Sequence, residues 1–253
     1  MSTTIDLVPI GIVFGMPIPV TNGKTSAMNE SVESVVAQVM NVILGLILSG
    51  ELVPGQPATI RDLSERIGVS HIPVREALRG LESKGLVTFR RGKGMQITPV
   101  SVEDLRDIFQ LRTAIEASVA ERTRDKLGPS ELDEAERQFD RLRRSLTGDD
   151  AFAVTTAHRA FHFALLPEAT AWDQHVLDQL WTASERYIQI LVQSSDEARL
   201  STIEAHAELL SDARTLAPDE FKDSILNHIA ISFEPLSAAL TERLDMQRTP
   251  GSA

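Results

Sequence analysis

Apolar residues repeat at helical intervals in the first third of the chain. The pattern predicts three helices there, over residues 31–48, 60–67 and 70–85. Gly68 ends the second helix, and Ser70 is a suitable N-cap for the third, in which Pro73 falls in the first turn. Two helices joined by a tight turn that contains glycine are typical of a helix-turn-helix.

A period of two replaces the helical period after Gly85. Val87 and Phe89 precede a basic, glycine-rich tip, and Met95 and Ile97 follow it. This alternation predicts a β-hairpin. A basic hairpin directly behind a recognition helix is a wing, although a hairpin whose charged turn is merely solvated would show the same pattern.

The remainder of the chain has a helical pattern almost to its end. Beyond Ser101, a suitable N-cap, apolar stripes predict six helices with short connections, which favours an antiparallel bundle. The helices are separated at Gly128-Pro129, Gly148, Pro167, Ser194-Ser195 and Pro218. The predicted fold class is mostly α, with an N-terminal winged helix-turn-helix plus a C-terminal all-α antiparallel helical bundle.

These patterns divide the chain into four segments. We expect a poorly ordered N-terminal arm over residues 1–28 and a winged helix-turn-helix over residues 29–100. An all-helical metal- and effector-binding domain is expected over residues 101–242, followed by a C-terminal tail over residues 243–253. The arm's apolar run is broken by proline and glycine and precedes its first basic residue, Lys24, which is unlike a secretory signal. No stretch reaches the length of a membrane span, so no membrane partner is predicted.

Charge is distributed unevenly over these segments. The chain has 25 Lys and Arg against 36 Asp and Glu, a net charge of −11, and the acidic excess lies behind residue 100. Residues 75–93 instead hold six basic and two acidic side chains, the local positive charge that contact with DNA phosphates requires. Cysteine is absent, which suits a cytoplasmic protein and excludes thiolate metal sites.

Four of the six histidines fall on predicted apolar stripes. His158 and His162 are four residues apart on one helix, whereas His206 and His228 lie on two others. Burying four imidazoles without a shared partner would leave many polar nitrogens unsatisfied. A divalent transition metal, zinc first and nickel second, would satisfy them together. A shared polar network without metal is the alternative.

Hydrolytic chemistry is disfavoured at these histidines. A zinc protease helix has a glutamate directly after its first histidine, and that position is Arg159 here. Four histidines would also fill a tetrahedral metal, whereas catalytic zinc keeps one position open for water. The chain is therefore predicted not to be an enzyme. A metal-dependent hydrolase and a metal-free, acyl-binding regulator remain the competing interpretations.

The predicted helix-turn-helix closely resembles the DNA-binding domain of the GntR family. The resemblance spans Leu63 to Val87 and includes a specific Val-Ser-x-x-Pro-Val-Arg-Glu-Ala-Leu core over residues 69–78. The helical part resembles the FadR-type (FCD) ligand-binding domain of that family, in which an aspartate and three histidines commonly hold a metal. The N-terminal arm has no counterpart in this resemblance.

The resemblance implies a set of contacts to operator DNA. They fall on Arg61, Ser70, His71, Ile72, Arg75, Arg91 and Gly92. Arg75 is the strongest candidate for base recognition, because arginine bonds bidentately to guanine, and a phosphate contact is its alternative role. The family usually has arginine at the position of His71, so the operator core is expected to differ from the usual one.

The same resemblance implies the ligand-binding residues. The family's three histidine ligands correspond to His162, His206 and His228. His158 stands where the family usually has aspartate, and Arg112 matches an arginine that faces the effector pocket, with an ion pair to Glu116 as its alternative role. A small carboxylate effector beside the metal is implied. The implied protein is a homodimeric transcriptional regulator, by family habit a repressor, on a roughly palindromic operator.

Overall fold

The computed structural model describes residues 25–91, 94–123 and 125–248. The chain forms two compact units, Met1–Thr98 and Pro99–Ala253, and each has its own hydrophobic core. The first unit is a winged helix-turn-helix and the second is all-helical, which confirms the predicted fold class. Most of the predicted arm, the wing-tip residue Gly92 and the end of the predicted tail lie outside the described residues.

Three helices and a hairpin make up the described part of the first unit. Their bounds are α1 Thr25–Leu48, α2 Ile60–Ile67, α3 His71–Ser83, β1 Val87–Arg90 and β2 Gly94–Ile97. Thr59 caps α2, since its hydroxyl accepts a 3.1 Å hydrogen bond from the backbone of Asp62. Gly68 ends α2 in the left-handed conformation, with a φ of 77° that favours glycine. The tight turn between α2 and α3 thus follows from the residues at its ends.

The core of this unit holds the recognition helix in place. Val74, Ala77, Leu78 and Leu81 form the buried stripe of α3, so its opposite face stays exposed. The two strands pair antiparallel, with Val87 opposite Ile97 and both buried. Phe89 pairs with Met95 nearer the tip and remains 64% exposed, because the core ends before it.

Six helices form the described part of the second unit. They are α4 Val102–Thr123, α5 Pro129–Ser145, α6 Ala151–Ala164, α7 Ala171–Val192, α8 Asp196–Thr215 and α9 Pro218–Arg248. Side chains of Asp150, Thr170 and Ser195 accept hydrogen bonds from the first backbone amides of α6, α7 and α8. The helices therefore begin where the sequence supplies a cap. None of the described helices combines the length and apolarity that a membrane span requires.

The packing of these helices encloses a buried centre. α4 packs against α7 and α9, α5 against α6 and α8, and α9 also against α7 and α8. Trp181, Tyr187 and Phe161 are the largest fully buried side chains of this core. α9 continues through Pro235 to Arg248. It therefore extends beyond residue 242, where the helical domain was predicted to end. Polar side chains line part of the enclosed centre, and they form the candidate site.

Candidate functional site

The four predicted histidines meet at the centre of the helical unit. His158 and His162 lie on α6, His206 on α8 and His228 on α9. All four are buried, with 4–7% of their surface exposed. We refer to His158, His162, His206 and His228 as the histidine cluster.

Three of these imidazoles point their Nε2 atoms at one another. The Nε2 atom of His206 lies 2.8 Å from that of His158 and 3.1 Å from that of His162. The ring of His228 lies beside them, with its centroid 4.7 Å from that of His206 and 5.2 Å from that of His162. Imidazole nitrogens bound to one zinc ion lie roughly 3.0–3.4 Å apart, given Zn–N bonds of about 2.1 Å. The two separations measured from His206 are close to this range. The possible ligand atoms of His158, His162 and His206 all lie within 4.8 Å of one another, and His228 is outside this group.

Hydrogen bonding fixes the tautomer of His206. Its Nδ1 atom donates to the carbonyl oxygen of Thr202 at 2.6 Å, so its Nε2 atom carries a lone pair toward the cluster. One lone pair cannot accept full hydrogen bonds from both neighbouring imidazoles. The Nδ1 atom of His158 is buried and has no hydrogen-bond partner among the described residues. A metal ion would bind the Nε2 lone pairs of the three histidines at once, so the donor set fits a metal ion better than a closed hydrogen-bond network.

Burial keeps the cluster uncharged. It lowers the pKa of His206 to about 4, although the bond to Thr202 opposes this shift. The pKa values of His158, His162 and His228 are also lowered well below 6.5, first by burial and then because a protonated ring would be repelled by protonation of its neighbours in the cluster and by Arg112. Neutral imidazole is the form that binds metal ions.

The cluster forms part of the lining of a cavity of about 440 Å³. This volume lies in the range of about 300–1,000 Å³ that is usual for small-molecule sites. Side chains from α4, α6, α7, α8 and α9 line it, and most of its surface is apolar. The cavity therefore combines a mainly apolar wall with a polar region at the histidines.

Arg112 lines the same cavity and is also ion-paired. Its Nε atom lies 2.9 Å from the carboxylate of Glu116, which is fully buried, and its Nη1 atom lies 3.4 Å from the hydroxyl of Ser184. The guanidinium stacks on the ring of Trp181, 3.7 Å from its centroid. Arg112 thus forms the ion pair with Glu116 that was its alternative role, and it also lines the cavity.

Arg159 points away from the histidine cluster. Its guanidinium contacts the carboxylate of Glu185, which is 2% exposed, and donates to Thr182 at 3.0 Å. Asp178 lies 3.5 Å from it. The residue that replaces the glutamate of a zinc protease helix is therefore engaged in packing α6 against α7.

The predicted DNA-contacting residues that the structure describes are all exposed on the first unit. Ser70 is the N-cap of α3, but its hydroxyl makes no capping bond, and it is exposed together with His71, Ile72 and Arg75. Arg91 at the hairpin turn is exposed as well. Arg61 pairs with Glu65 on α2, where both side chains are largely solvent-accessible. These positions suit contact with a nucleic acid.

Two family descriptions match the two units separately. Residues 36–97 match "Bacterial regulatory proteins, gntR family", and residues 107–230 match "FCD domain". We therefore refer to the second unit, Pro99–Ala253, as the FCD unit and to its cavity as the FCD cavity. The chain belongs to the GntR family of transcriptional regulators, in the group with an FCD domain. The family and its relatives are regulators of transcription and not enzymes.

Several similar proteins align with both units of this chain over most of their own length. The HTH-type transcriptional regulator YdhC of Bacillus subtilis is 24% identical over 81% of this chain and 92% of its own length. The probable D-xylose utilization operon transcriptional repressor of Paenarthrobacter nicotinovorans is 26% identical over 81% of this chain and 89% of its own. The structure of McbR/YncC of E. coli superimposes with a TM-score of 0.66 at 22% identity, over 80% of this chain and 96% of that one. This last likeness establishes the fold.

The sequence pattern did not reveal several residues that line the FCD cavity or support its lining. Trp181 supports Arg112 by stacking on its guanidinium. The carbonyl of Thr202 orients His206, and this contact could have been predicted, because Thr202 is four residues before His206 on the same helix. Glu197, Ser201 and Ser232 also line the cavity. They carry no pattern of their own, because a polar residue at a cavity mouth looks like any solvent-exposed position.

A second polar group joins α7 to the start of the FCD unit. The hydroxyl of Tyr187 donates to Asp104 at 2.5 Å, and Arg186 donates to Asp104 and to the carbonyl of Pro99 at 3.1 and 3.3 Å. The hydroxyl of Ser101 caps the first turn of α4 beside them. These bonds fix the first residues of the FCD unit against α7.

Proposed function

We propose that this GntR-family regulator binds its operator under the control of a small carboxylate, held beside a metal ion in the FCD cavity. The single observation that supports this proposal is the convergence of three imidazole Nε2 atoms in the lining of a cavity that Arg112 shares. His158, His162, His206 and His228 would hold the ion, with zinc preferred and nickel as the second choice. When bound, the ion would supply positive charge and a binding position for an anion.

Arg112 would complete the anion site. The contacts to Glu116 and Ser184 use two of the five N–H donors of its guanidinium. Its stacking on Trp181 restricts the side chain, so little conformational entropy would be lost when it binds a carboxylate. Because His158 replaces the usual aspartate, the donor set adds no negative charge of its own. A carboxylate would therefore be attracted more strongly than to an aspartate-containing site.

The DNA-binding half of the proposal uses α3 and the wing. Arg75, Ser70, His71 and Ile72 would face the bases or phosphates of the major groove, with Arg91 and Gly92 at the wing tip and Arg61 beside them. A homodimer on a roughly palindromic operator fits the family habit. The repressor among the relatives favours repression, in which the effector releases the DNA.

Control by the effector requires different affinities for two states. A carboxylate can change operator binding only if it binds the DNA-competent and the DNA-incompetent forms unequally. By linkage, operator DNA then changes the affinity for the carboxylate by the same factor. Equal carboxylate affinities with and without operator would contradict this control.

Elemental analysis and DNA binding together test the proposal. The purified chain is expected to hold about one metal per chain, His206→Ala and His228→Ala to lose it, and His175→Ala, which alters an exposed histidine of α7, to keep it. An operator selected from a random duplex library would then be titrated with each variant, with and without carboxylate. Protein that takes up neither zinc nor nickel, yet still responds to an acyl compound, would favour the metal-free regulator.

A further inference from the structure

One face of α8 extends from the histidine cluster to the rim of the cavity. Glu197, Ser201, Thr202 and His206 all line the cavity, at the spacing of successive helical turns. Glu197 and His206 are nine residues apart in the sequence, which corresponds to about 13 Å along the helix at 1.5 Å per residue. The cavity therefore has the imidazoles at one end of this face and a carboxylate at the other.

Apolar side chains line the cavity between these ends. Ile188 and Leu191 of α7 and Ile229 and Leu236 of α9 contribute to its walls. Burying a methylene group of a ligand against such walls is favourable, at roughly fourfold in affinity for each group. The body of a ligand that fits here is apolar.

Two of the three hydroxyl groups in the lining donate within their own helices. The Thr202 hydroxyl donates to the carbonyl of Ala198 at 2.8 Å, and the Ser232 hydroxyl donates to the carbonyl of His228 at 2.7 Å. Both donor protons are thus engaged by their own helices. A polyhydroxylated acid would lose hydrogen bonds to water in this cavity without regaining them.

Glu197 places a negative charge at the exposed end of the cavity. It lies exposed in the first turn of α8. Hydrogen bonds from its own backbone amide and from Ser195 lower its pKa, so it is ionised at neutral pH. A second carboxylate on a ligand would meet this charge after the first had reached the histidine cluster.

We propose that the effector is an apolar monocarboxylate and that Glu197 excludes dicarboxylates. This inference rests on the proposed function, because the single carboxylate is placed beside the histidine cluster and Arg112. The aliphatic or aromatic body extends along α8 toward Glu197. Glu197 is a specificity residue, which acts through repulsion of a second negative charge.

Isothermal titration calorimetry of the zinc-loaded full chain first tests whether the cavity prefers ligands with an apolar body. Acetate, butanoate, hexanoate and octanoate would be compared under identical buffer conditions. We expect the affinity to rise with each pair of methylene groups, by about fourfold per group while the chain stays within the cavity. Gluconate, which has hydroxyl groups along its chain, is expected to bind no better than acetate.

Octanoate and its eight-carbon dicarboxylate counterpart, suberate, test Glu197. Suberate is expected to bind at least about tenfold more weakly, because its second carboxylate approaches Glu197. Glu197→Gln should bring the ratio of the two affinities several-fold closer to one. Glu204→Gln, which alters an exposed glutamate of α8 outside the cavity, should leave the ratio as in the parent protein.

The possible failures can be told apart. If no monocarboxylate binds while zinc remains bound, the proposed function and this inference are both overturned. If the acids bind but chain length has no effect, or suberate and gluconate match octanoate, only this inference is overturned. An unchanged octanoate-to-suberate ratio in Glu197→Gln would remove Glu197 from the specificity mechanism.

Discussion

The Nδ1 atom of His206 donates a 2.6 Å hydrogen bond to the carbonyl oxygen of Thr202, one turn earlier on the same helix. This bond determines which nitrogen of His206 faces His158 and His162. A backbone carbonyl behind a histidine is the usual arrangement in protein metal sites, where it orients the ring and raises its basicity. The orientation depends on the helix backbone rather than on a second side chain.

Metal binding should therefore stabilise the protein through His206. At a free zinc concentration about a thousandfold above Kd, binding adds about 4 kcal/mol to the free energy of unfolding. The parent chain and His175→Ala are expected to gain this stability in urea denaturation, whereas His206→Ala gains little. Both tryptophans of the chain lie in the FCD unit, so their fluorescence follows its unfolding. An equal gain in His206→Ala would place the ion elsewhere.

The stability of the metal-free protein should fall as the pH is lowered. In the unfolded chain a histidine has a pKa of about 6.5, whereas burial lowers that of His206 to about 4. Between pH 4 and pH 6.5 the unfolded state therefore binds more protons than the folded state. The contribution of His206 to the free energy of unfolding is complete above pH 6.5 and is lost as the pH falls toward 4. His206 accounts for about 3 kcal/mol of this loss. Denaturation in a chelator at several pH values measures it, and His206→Gln should show a shallower decline.

The stability costs of substituting Arg112 and Glu116, which form a buried ion pair, should be strongly non-additive. Glu116→Ala leaves the Arg112 guanidinium buried without its counter-charge, and such changes cost about 3–5 kcal/mol. Replacing both residues in Arg112→Met/Glu116→Leu removes both charges and is expected to cost much less than the two single changes together. A double-mutant cycle by denaturation measures the coupling. Additive costs would show that Glu116 does not compensate Arg112.

Arg75 should determine base discrimination by α3. Arg75→Lys keeps the positive charge but loses the paired donors that match guanine. We expect it to lower the preference for operator over unrelated duplex by about 1–3 kcal/mol, while nonspecific binding changes little. Fluorescence anisotropy on the two duplexes measures this preference, and Arg143→Ala on α5 is the control for a lost exposed arginine. An equal weakening on both duplexes would indicate a phosphate contact.

The sequence was most informative where local rules decide the structure. Gly68 and Ser70 placed the turn of the helix-turn-helix, and the breakers between helices predicted all six helices of the FCD unit. Those signals depend only on backbone conformation and capping. The start of α1 was predicted too late, because an apolar period marks the buried part of a helix and not its polar first turns.

Properties that depend on tertiary packing were harder to predict. Phe89 continues the alternation of the wing, but the pattern does not say where the core beneath it ends. The four histidines were recognisable from their apolar stripes, whereas Glu197 belongs to a cavity rim that forms only when α7, α8 and α9 pack together. The convergence of three Nε2 atoms likewise depends on the rotation of α6 relative to α8.

Neighbouring residues of α7 line the cavity and bind the beginning of the FCD unit. Ile188 and Leu191 form part of the cavity wall, and Arg186 and Tyr187 hold Asp104 and the carbonyl of Pro99, the first residue of the FCD unit. A helix moves as a stiff rod over such short distances, so a ligand cannot displace one of these turns and leave the other in place. A ligand that shifts the cavity wall at Ile188 and Leu191 is therefore expected to shift the contacts to Asp104 and Pro99 as well.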